Sequence, residues 1–150
     1  MSRTAQDIAD RLDIEDVLTR YAWSIDTASW DGLDEVFTPD AFIDYTSSGG
    51  INGKYPEVKA WLESVLPHFP AYQHFVTNKD IRIDGDRATS RAEFYNPMAQ
   101  QKEAGLSLFF VGGEYHDKLV RTPAGWRISE RIEKSVWVDG DVPATPPGDE

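Results

Sequence analysis

The side chains in this sequence that could carry proton-transfer chemistry are few. There are three histidines, His68, His74 and His116, and no His-x-His pair or His-x-x-x-His helix among them. The carboxylates are scattered, so the pattern does not predict a metal site. The chain has no cysteine, which excludes thiolate nucleophiles and disulfides. It also lacks a Gly-x-Ser-x-Gly elbow and a Gly-rich phosphate loop, which leaves acid–base chemistry by polar side chains on buried surfaces.

Asp26 is one such side chain, because it ends the first predicted helix. A carboxylate there meets the negative end of the helix dipole and does not stabilise the helix. It is either solvated or turned inward toward a pocket. Tyr21 lies five residues earlier, about 140° around an ideal helix. We therefore expect Tyr21 and Asp26 on opposite edges of the apolar stripe, both reaching a pocket only if a sheet encloses the helix broadly.

His74 lies in a predicted strand. Side chains alternate along a strand, so His74 shares a face with Val76 and Asn78, while Phe75 lies on the other. Either face could point inward. The same ambiguity applies to Tyr45, which follows the first strand.

The elements that must position these residues follow from hydrophobic periodicity. Helical spacing predicts three helices, over residues 4–26, 29–37 and 56–66. A period of two predicts five strands, over residues 41–46, 72–83, 87–98, 105–121 and 126–138. In the last strand Arg131 alternates with Ile128 and Ile132, so it should lie on the opposite face. The pair Gly112-Gly113 predicts a bulge, a bend or a close approach by another group.

The apolar stripe of the first helix is predicted from residues at helical spacing: Ile8, Leu12, Leu18, Ala22 and Ile25. Three further residues flank that stripe: Ile14, Val17 and Tyr21. Thr4 is the expected N-cap, and Asp7 suits the first turn.

The order helix, helix, strand, helix and four strands predicts an α+β fold. Sequential hairpins imply a curved, cone-shaped antiparallel sheet wrapped around the N-terminal helices and enclosing an interior pocket. We expect one domain over residues 1–138 and a flexible tail over residues 139–150, which is rich in Pro, Gly and acid.

Composition narrows the partners. Fifteen basic and 26 acidic residues give a net charge of −11, which disfavours nucleic acid and an anionic membrane surface. No apolar run approaches the roughly 20 residues of a membrane span, and the N-terminus has no apolar signal core. A cytoplasmic protein is the expectation.

Four segments together resemble a known family: IEDVLTRYAWSIDTASWDGLDEVFTPDAFIDY, HFVTN, IDGDRA and GGEYHDKLVRTPAGWRISER. The chain resembles the SnoaL-like branch of the nuclear-transport-factor-2-like superfamily, near scytalone dehydratase and bile-acid 7α-dehydratase. The resemblance runs from the first helix to the last strand. The superfamily hosts dehydratases, isomerases, cyclases, epoxide hydrolases and non-catalytic binders.

The resemblance implies which residues line the pocket. Those matching the catalytic positions of the dehydratases in type and order are Tyr21, Asp26 and His74. Those matching further pocket positions that bind substrate are Tyr45, Asn78 and Arg131. Only His116 is available for the second pocket histidine of scytalone-type enzymes, and whether it reaches the pocket stays open. No second acid stands out, which counts against the steroid-isomerase branch.

The function implied is a cofactor-free dehydratase acting on a small apolar cyclic hydroxy-ketone, steroid-like or polyketide-like. His74 would be the base and then the acid, since histidine exchanges protons near neutral pH. Asp26 would hold its tautomer, and Tyr21, with Tyr45, would stabilise an enolate. An isomerase or polyketide cyclase using the same pocket and a non-catalytic binding domain are the alternatives. Relatives suggest a homo-oligomer, a trimer or a dimer, formed through the outer face of the sheet.

Overall fold

The computed structural model describes residues 3–144, which form two α-helices and a seven-stranded sheet. The α-helices are α1 (Ala5–Asp26) and α2 (Tyr55–Val65). The strands are β1 (Phe37–Asp44), β2 (Asn52–Lys54), β3 (Ala71–Tyr72), β4 (Phe75–Asp84), β5 (Arg87–Lys102), β6 (Gly105–Thr122) and β7 (Gly125–Gly140). Short 3-10 helices lie at Trp30–Glu35, Thr46–Ser48 and Leu66–His68. No helix within residues 3–144 is long and apolar enough to cross a membrane.

Helix α1 begins as predicted but buries a different face. Thr4 and Asp7 form a capping box, in which each side chain bonds the other residue's backbone N–H. The residues predicted to flank the stripe form its centre instead. The buried set is Asp10, Ile14, Val17, Leu18, Tyr21, Ser24 and Ile25. Leu18 and Ile25 of the predicted stripe are buried, as expected, whereas Ile8 and Leu12 are 50% and 57% exposed, so the prediction was wrong in the N-terminal part of the helix. Tyr21 therefore lies in the middle of the buried face.

The sheet has the strand order β2-β1-β7-β6-β5-β3, with β4 also pairing with β5. The α+β architecture with helices on one face of a curved sheet is as predicted. The sheet is not wholly antiparallel, because β1 runs parallel to β7. The predicted second helix is only the 3-10 helix Trp30–Glu35, since Phe37 already pairs with Ile128 in β7. Strand β2 extends the sheet before α2, because Asn52 and Gly53 pair with Asp44 and Ile43 of β1.

The predicted strand over residues 72–83 is interrupted between β3 and β4. Gln73 still donates its N–H to the Pro97 carbonyl of β5 at 3.1 Å. His74 instead donates its N–H to the Asp26 carboxylate. This interruption places His74 against the C-terminus of α1.

Apart from the irregular pairing of β1 with β7 between Phe37 and Phe42, three register shifts bend the long strands. One lies between Thr77 and Asp80 in β4, where Asn78 takes a left-handed backbone conformation with φ of 49°. A second lies between Gly112 and Gly113, where the ring of Trp137 covers Gly112 and Phe94 with the Lys134 carbonyl covers Gly113. The predicted bulge and close approach at the paired glycines are confirmed.

The third register shift skips Ser129. Lys118 pairs with Glu130 and Leu119 with Ile128, so Ser129 is the extra residue. This bulge reverses the alternation of side chains in β7. Ile128 and Arg131 therefore both point inward and are fully buried, and the predicted opposite placement of Arg131 and Ile128 was wrong.

The predicted flexible tail over residues 139–150 is in part structured. Strand β7 extends to Gly140, and Asp141 donates its N–H to the Leu108 carbonyl at 3.1 Å. Val142 and Pro143 then reach the interior cavity. Residues 145–150 lie outside the described part of the chain.

Candidate active site

An interior cavity of about 580 Å³ lies between α1, α2 and the concave face of the sheet. Its wall is mainly apolar, with side chains that include Ile25, Trp61, Leu62, Phe69, Met98, Phe109, Val111 and Val138. Its polar lining groups include Tyr21, Tyr45, Ser47, Ser48, His74, Asn96, Tyr115 and Glu133. Among residues 3–144, no lysine or arginine contributes to the wall, so the cavity suits an uncharged, mostly apolar molecule.

Asp26 contacts His74 through both oxygens of its carboxylate. Oδ2 accepts the backbone N–H of His74 at 2.8 Å, and Oδ1 lies 2.8 Å from His74 Nδ1. The two side chains are 16% and 8% exposed. Asp26 can reach inward because α1 ends there, and because the gap between β3 and β4 leaves the His74 N–H free for the carboxylate.

This contact fixes the tautomer of neutral His74. A carboxylate only accepts hydrogen bonds, so the proton sits on Nδ1 and the lone pair on Nε2. The rings of Tyr21 and Tyr72 meet the imidazole edge-on, with centroids 6.4 Å and 6.1 Å away. Nε2 is then a positioned proton acceptor on the cavity wall.

Two tyrosines form the neighbouring polar feature. The hydroxyls of Tyr21 and Tyr45 are 2.9 Å apart and share a hydrogen bond. Both side chains are buried, and burial raises the pKa of each, with Arg131 opposing that rise. Both therefore remain neutral donors at ordinary pH. One hydroxyl can donate to the other while the second donates to a bound oxygen.

Arg131 lies behind this tyrosine pair rather than on the cavity wall. Its guanidinium packs between the rings of Tyr21 and Tyr115, 4.1 Å from each centroid. It forms a bidentate pair with Asp117, with distances of 2.8 Å and 2.7 Å, and both side chains are fully buried. The sequence expectation that Arg131 contacts substrate therefore needs correction, since Tyr21 and Tyr115 screen it.

Asn78 and His116 also lie outside the cavity. The bulge in β4 turns Asn78 to the outer surface, where its amide bonds the Glu93 carboxylate. His116 lies on the outer face of β6, with Nε2 2.7 Å from Glu114 Oε2. The prediction that Asn78 lines a substrate pocket was therefore wrong, because the bulge turns its side chain outward. His116 supplies no second pocket histidine.

Sequence reasoning missed five polar residues of the cavity wall: Ser47, Ser48, Asn96, Tyr115 and Glu133. Asn96 lies on β5, and the register of β5 with β3 and β4 places it opposite His74. Its Oδ1 has no hydrogen-bond partner within residues 3–144. Glu133 is two residues beyond Arg131 and shares its inward face. The expectation of no second acid was therefore wrong. The alternation beyond Arg131 is the signal that could have found Glu133, had the bulge at Ser129 been foreseen.

The wall offers no evident metal site. Within residues 3–144 no group of three or more His, Cys, Asp or Glu side chains is placed to hold an ion. The carboxylate nearest His74 already receives two hydrogen bonds from that one residue. The arrangement can accept a proton at Nε2 and donate hydrogen bonds from tyrosine hydroxyls.

The chain belongs to the SnoaL-like family, whose domain model matches residues 6–132. The match runs from α1 to Ile132, halfway along β7, and it contains the polar cavity residues named above except Glu133. A protein of Mycobacterium tuberculosis, Rv2910c, is 48% identical over 127 residues, covering 85% of this chain and 86% of that protein. That relative carries the description "uncharacterized".

Solved structures agree on the fold. The Kfla4162 protein from Kribbella flavida is 27% identical with a TM-score of 0.81, covering 87% of this chain and 93% of that one. A scytalone dehydratase-like protein from Novosphingobium aromaticivorans is 19% identical with a TM-score of 0.81, covering 97% and 98%. A hexachlorocyclohexane dehydrochlorinase, LinA type 2, is 19% identical with a TM-score of 0.78, covering 94% and 96%. The last two likenesses show the fold alone.

Proposed function

We propose that this protein is a cofactor-free lyase that removes water from a small apolar cyclic hydroxy-ketone. The observation that carries the proposal is the Asp26 carboxylate bound at once to Nδ1 and to the backbone N–H of His74. That double contact leaves Nε2 as a base in an apolar cavity. The names of two structural neighbours, a dehydratase and a dehydrochlorinase, both denote eliminations and support a lyase.

The reaction would begin with proton transfer from carbon to His74. Nε2 takes the proton from the carbon beside the carbonyl, and the electron pair forms an enolate. Asp26 stabilises the imidazolium. The Tyr21–Tyr45 pair donates a hydrogen bond to the enolate oxygen, and one preorganised donor of this kind is worth about 3 kcal/mol.

Water leaves in the second step. The carbonyl re-forms, a carbon–carbon double bond forms, and the bond from the neighbouring carbon to its hydroxyl breaks. The imidazolium of His74 gives its proton to the departing oxygen, which leaves as water. The base is regenerated, so no further reactant is needed.

The cavity argues for the substrate class. A volume of about 580 Å³ with a mostly apolar wall suits a fused-ring ketone, steroid-like or polyketide-like. The described part of the chain places no cationic side chain on the wall that could bind a carboxylate or phosphate, and Arg131 is covered by the rings of Tyr21 and Tyr115.

The test is a product-mass assay on a panel of cyclic β-hydroxy-ketones. The wild type should release one water from at least one of them. His74→Ala should abolish this turnover, and its circular dichroism should match the wild type. Turnover by His74→Ala at the wild-type rate would exclude His74 as the base.

An isomerase is the second candidate, favoured by the presence of Glu133 as a second acid in the cavity. An isomerase would give a product of unchanged mass, so the same assay separates the two activities. A protein that binds these ketones without converting any of them would be the non-catalytic alternative.

We also propose that the protein self-associates through the outer face of its sheet. Phe75, Tyr95 and Trp137 are 46%, 42% and 45% exposed and pack in a row, with successive ring centroids 6.1 Å and 5.9 Å apart. An exposed aromatic row of this kind is typical of interfaces. Light scattering should give a dimer or trimer mass for the wild type and a monomer for Tyr95→Asp; a monomeric wild type would contradict the proposal.

A further inference from the structure

Glu133 is a half-buried acid, with one carboxyl oxygen fully buried, that the mechanism above does not use. It lies on β7 two residues after Arg131, and its side chain lines the cavity. Its Oε1 atom is buried and accepts no hydrogen bond from any residue within 3–144. A buried, unpartnered carboxyl oxygen facing a ligand cavity is costly for folding, and this points to a role in binding.

None of the charged or titratable groups described around Glu133 forms an ion pair with its carboxyl group. Arg131 is its neighbour on the same face, but the forked contact of that guanidinium goes to Asp117. Asp44 from β1 adds a like charge. The other groups that face it are tyrosines from three elements: Tyr21, Tyr45 and Tyr115.

The protonated form of Glu133 is therefore favoured. Burial raises the pKa of Glu133 to about 7, although the hydroxyls of Ser48 and Ser47 and the charge of Arg131 oppose the rise. The Ser47 hydroxyl is itself held by β7, because it donates to the Glu133 carbonyl at 3.0 Å and accepts the Ser135 N–H at 3.0 Å. The loop over Thr46–Ser48 thus packs on β7 at Glu133, next to Tyr45.

We propose that the protonated carboxyl of Glu133 and the Tyr21–Tyr45 hydroxyl pair form an oxygen-binding subsite, which donates hydrogen bonds to a neutral carbonyl of the ligand. The proposal deepens the proposed function, since the same subsite would hold the enolate oxygen. A protonated carboxyl donates to that oxygen, whereas an ionised one repels it. Ligands must therefore present an uncharged acceptor, and binding must weaken when Glu133 ionises.

The first measurement is binding of 2-acetylnaphthalene, a flat fluorescent ketone whose oxygen can only accept hydrogen bonds. Its affinity for the wild type should fall about tenfold between pH 5.5 and 8.5, as one hydrogen bond is lost and a charge appears. Glu133→Gln, which is always neutral and keeps an N–H donor, should bind it equally at both pH values. 2-Ethylnaphthalene, which lacks the oxygen, should bind the wild type without this pH dependence.

Within residues 3–144, the imidazole of His74 and the carboxyl of Glu133 are the acid–base groups of these two kinds on the wall, and His74→Gln removes the imidazole so that the effect of Glu133 is measured by itself. This variant should keep the pH dependence of ketone binding even if it has lost all turnover. If neither the wild type nor the variants turn over any substrate but the pH dependence of ketone binding is present, the proposed lyase activity is overturned and the proposed subsite stands. A shift that vanishes in His74→Gln but persists in Glu133→Gln would overturn the subsite.

A ligand-free titration covers the case in which the probe does not bind. In protein labelled with ¹³C at the glutamate carboxyl, the resonance that is missing in Glu133→Gln should titrate with a midpoint near 7. A midpoint below about 5, the ordinary range of glutamate, would overturn the proposal.

Discussion

The two ends of helix α1 each place an aspartate inward, but in very different surroundings. Asp10 is 3% exposed and accepts four hydrogen bonds: from Arg121 at 2.6 Å and 2.8 Å, from Gln6 at 3.0 Å and from the Trp126 indole at 3.1 Å. The Arg121 guanidinium also stacks on the Trp126 ring at 4.6 Å. Asp26, at the other end, is bonded within residues 3–144 by His74 alone, and that histidine lines the cavity.

The difference in hydrogen-bond pairing distinguishes a carboxylate that stabilises the fold from one that is available for catalysis. Around Asp10 each polar group has a protein partner, so a ligand would have nothing to bind. Near Asp26 the cavity wall holds polar groups that are incompletely paired, since His74 lines the cavity and Asn96 Oδ1 and Glu133 Oε1 have no hydrogen bond within residues 3–144. We call the surroundings of Asp10 the closed end of the fold and the surroundings of Asp26 the open end.

Breaking the open end should have the largest effect. Asp26→Asn removes the charge that stabilises the His74 imidazolium and lets the ring adopt the other tautomer. Turnover should fall by about 10³-fold, a typical contribution of positioned acid–base catalysis, with the melting temperature little changed. Asp13→Asn, on the exposed face of the same helix, is the control and should retain full turnover. Equal turnover in the two variants would remove Asp26 from the mechanism.

Stability should respond to pH with opposite signs at the two ends. Glu133, at the open end, has a pKa of about 7 in the fold against an ordinary value of 4.5. Between these values the unfolded chain has lost the proton that the fold retains. The free energy of unfolding should therefore fall by about 2–3 kcal/mol as pH rises through this window, and change no further above it.

Urea unfolding of the wild type and Glu133→Gln from pH 4 to 8 measures this contribution. The difference between the two free energies isolates Glu133 from the other carboxylates. A constant difference across the window would show that Glu133 titrates normally.

The closed end should lose stability, and not activity, when its carboxylate is changed. Arg121 is the main cause that holds the pKa of Asp10 well below its usual value, so this contribution is present above the ordinary aspartate range and lost as pH falls below it. Asp10→Asn should cost about 2 kcal/mol by leaving buried donors poorly paired. Urea unfolding gives the free energy, with Asp13→Asn again as the control. A loss of turnover without a loss of stability would contradict the assignment of this end as structural.

Sequence patterns located most of the elements but not their faces. The capping box at Thr4, α2 and the four long strands of the meander follow from local spacing and turn residues. The inward set on α1 did not, because the polar Asp10 takes the inward position against Arg121 and Trp126, while the apolar Ile8 and Leu12 lie on the exposed side of the helix. The resemblance to the family, and not helix geometry, paired Tyr21 with Asp26.

The single extra residues in β4 and β7 explain the remaining errors. Each bulge reverses the alternation of side chains downstream, which takes Asn78 out of the cavity and brings Arg131 and Glu133 to the inner face. A bulge depends on pairing with a distant strand, so no local period reveals it. His74 precedes both bulges, and its place on the cavity face follows from the unbroken register of β3 and β4 with β5.

The smallest effect is expected at Asn78, since it lies on the outer surface. Its replacement by glycine should change stability by less than about 0.5 kcal/mol, because glycine accepts the left-handed backbone that Asn78 adopts. Turnover should equal that of the wild type. A tenfold loss would return Asn78 to the substrate site.

The most direct test of the account is proton exchange at carbon, which needs the base and the enolate subsite but no leaving group. Apolar cyclic ketones that lack a β-hydroxyl are incubated with the protein in D₂O, and mass spectrometry follows deuterium uptake beside the carbonyl. The wild type should catalyse uptake into at least one ketone, and folded His74→Gln should reduce it to the uncatalysed rate. Uptake that is equally fast with His74→Gln, or none above background with any ketone that binds, would contradict the assignment of His74 and Asp26 as the catalytic pair.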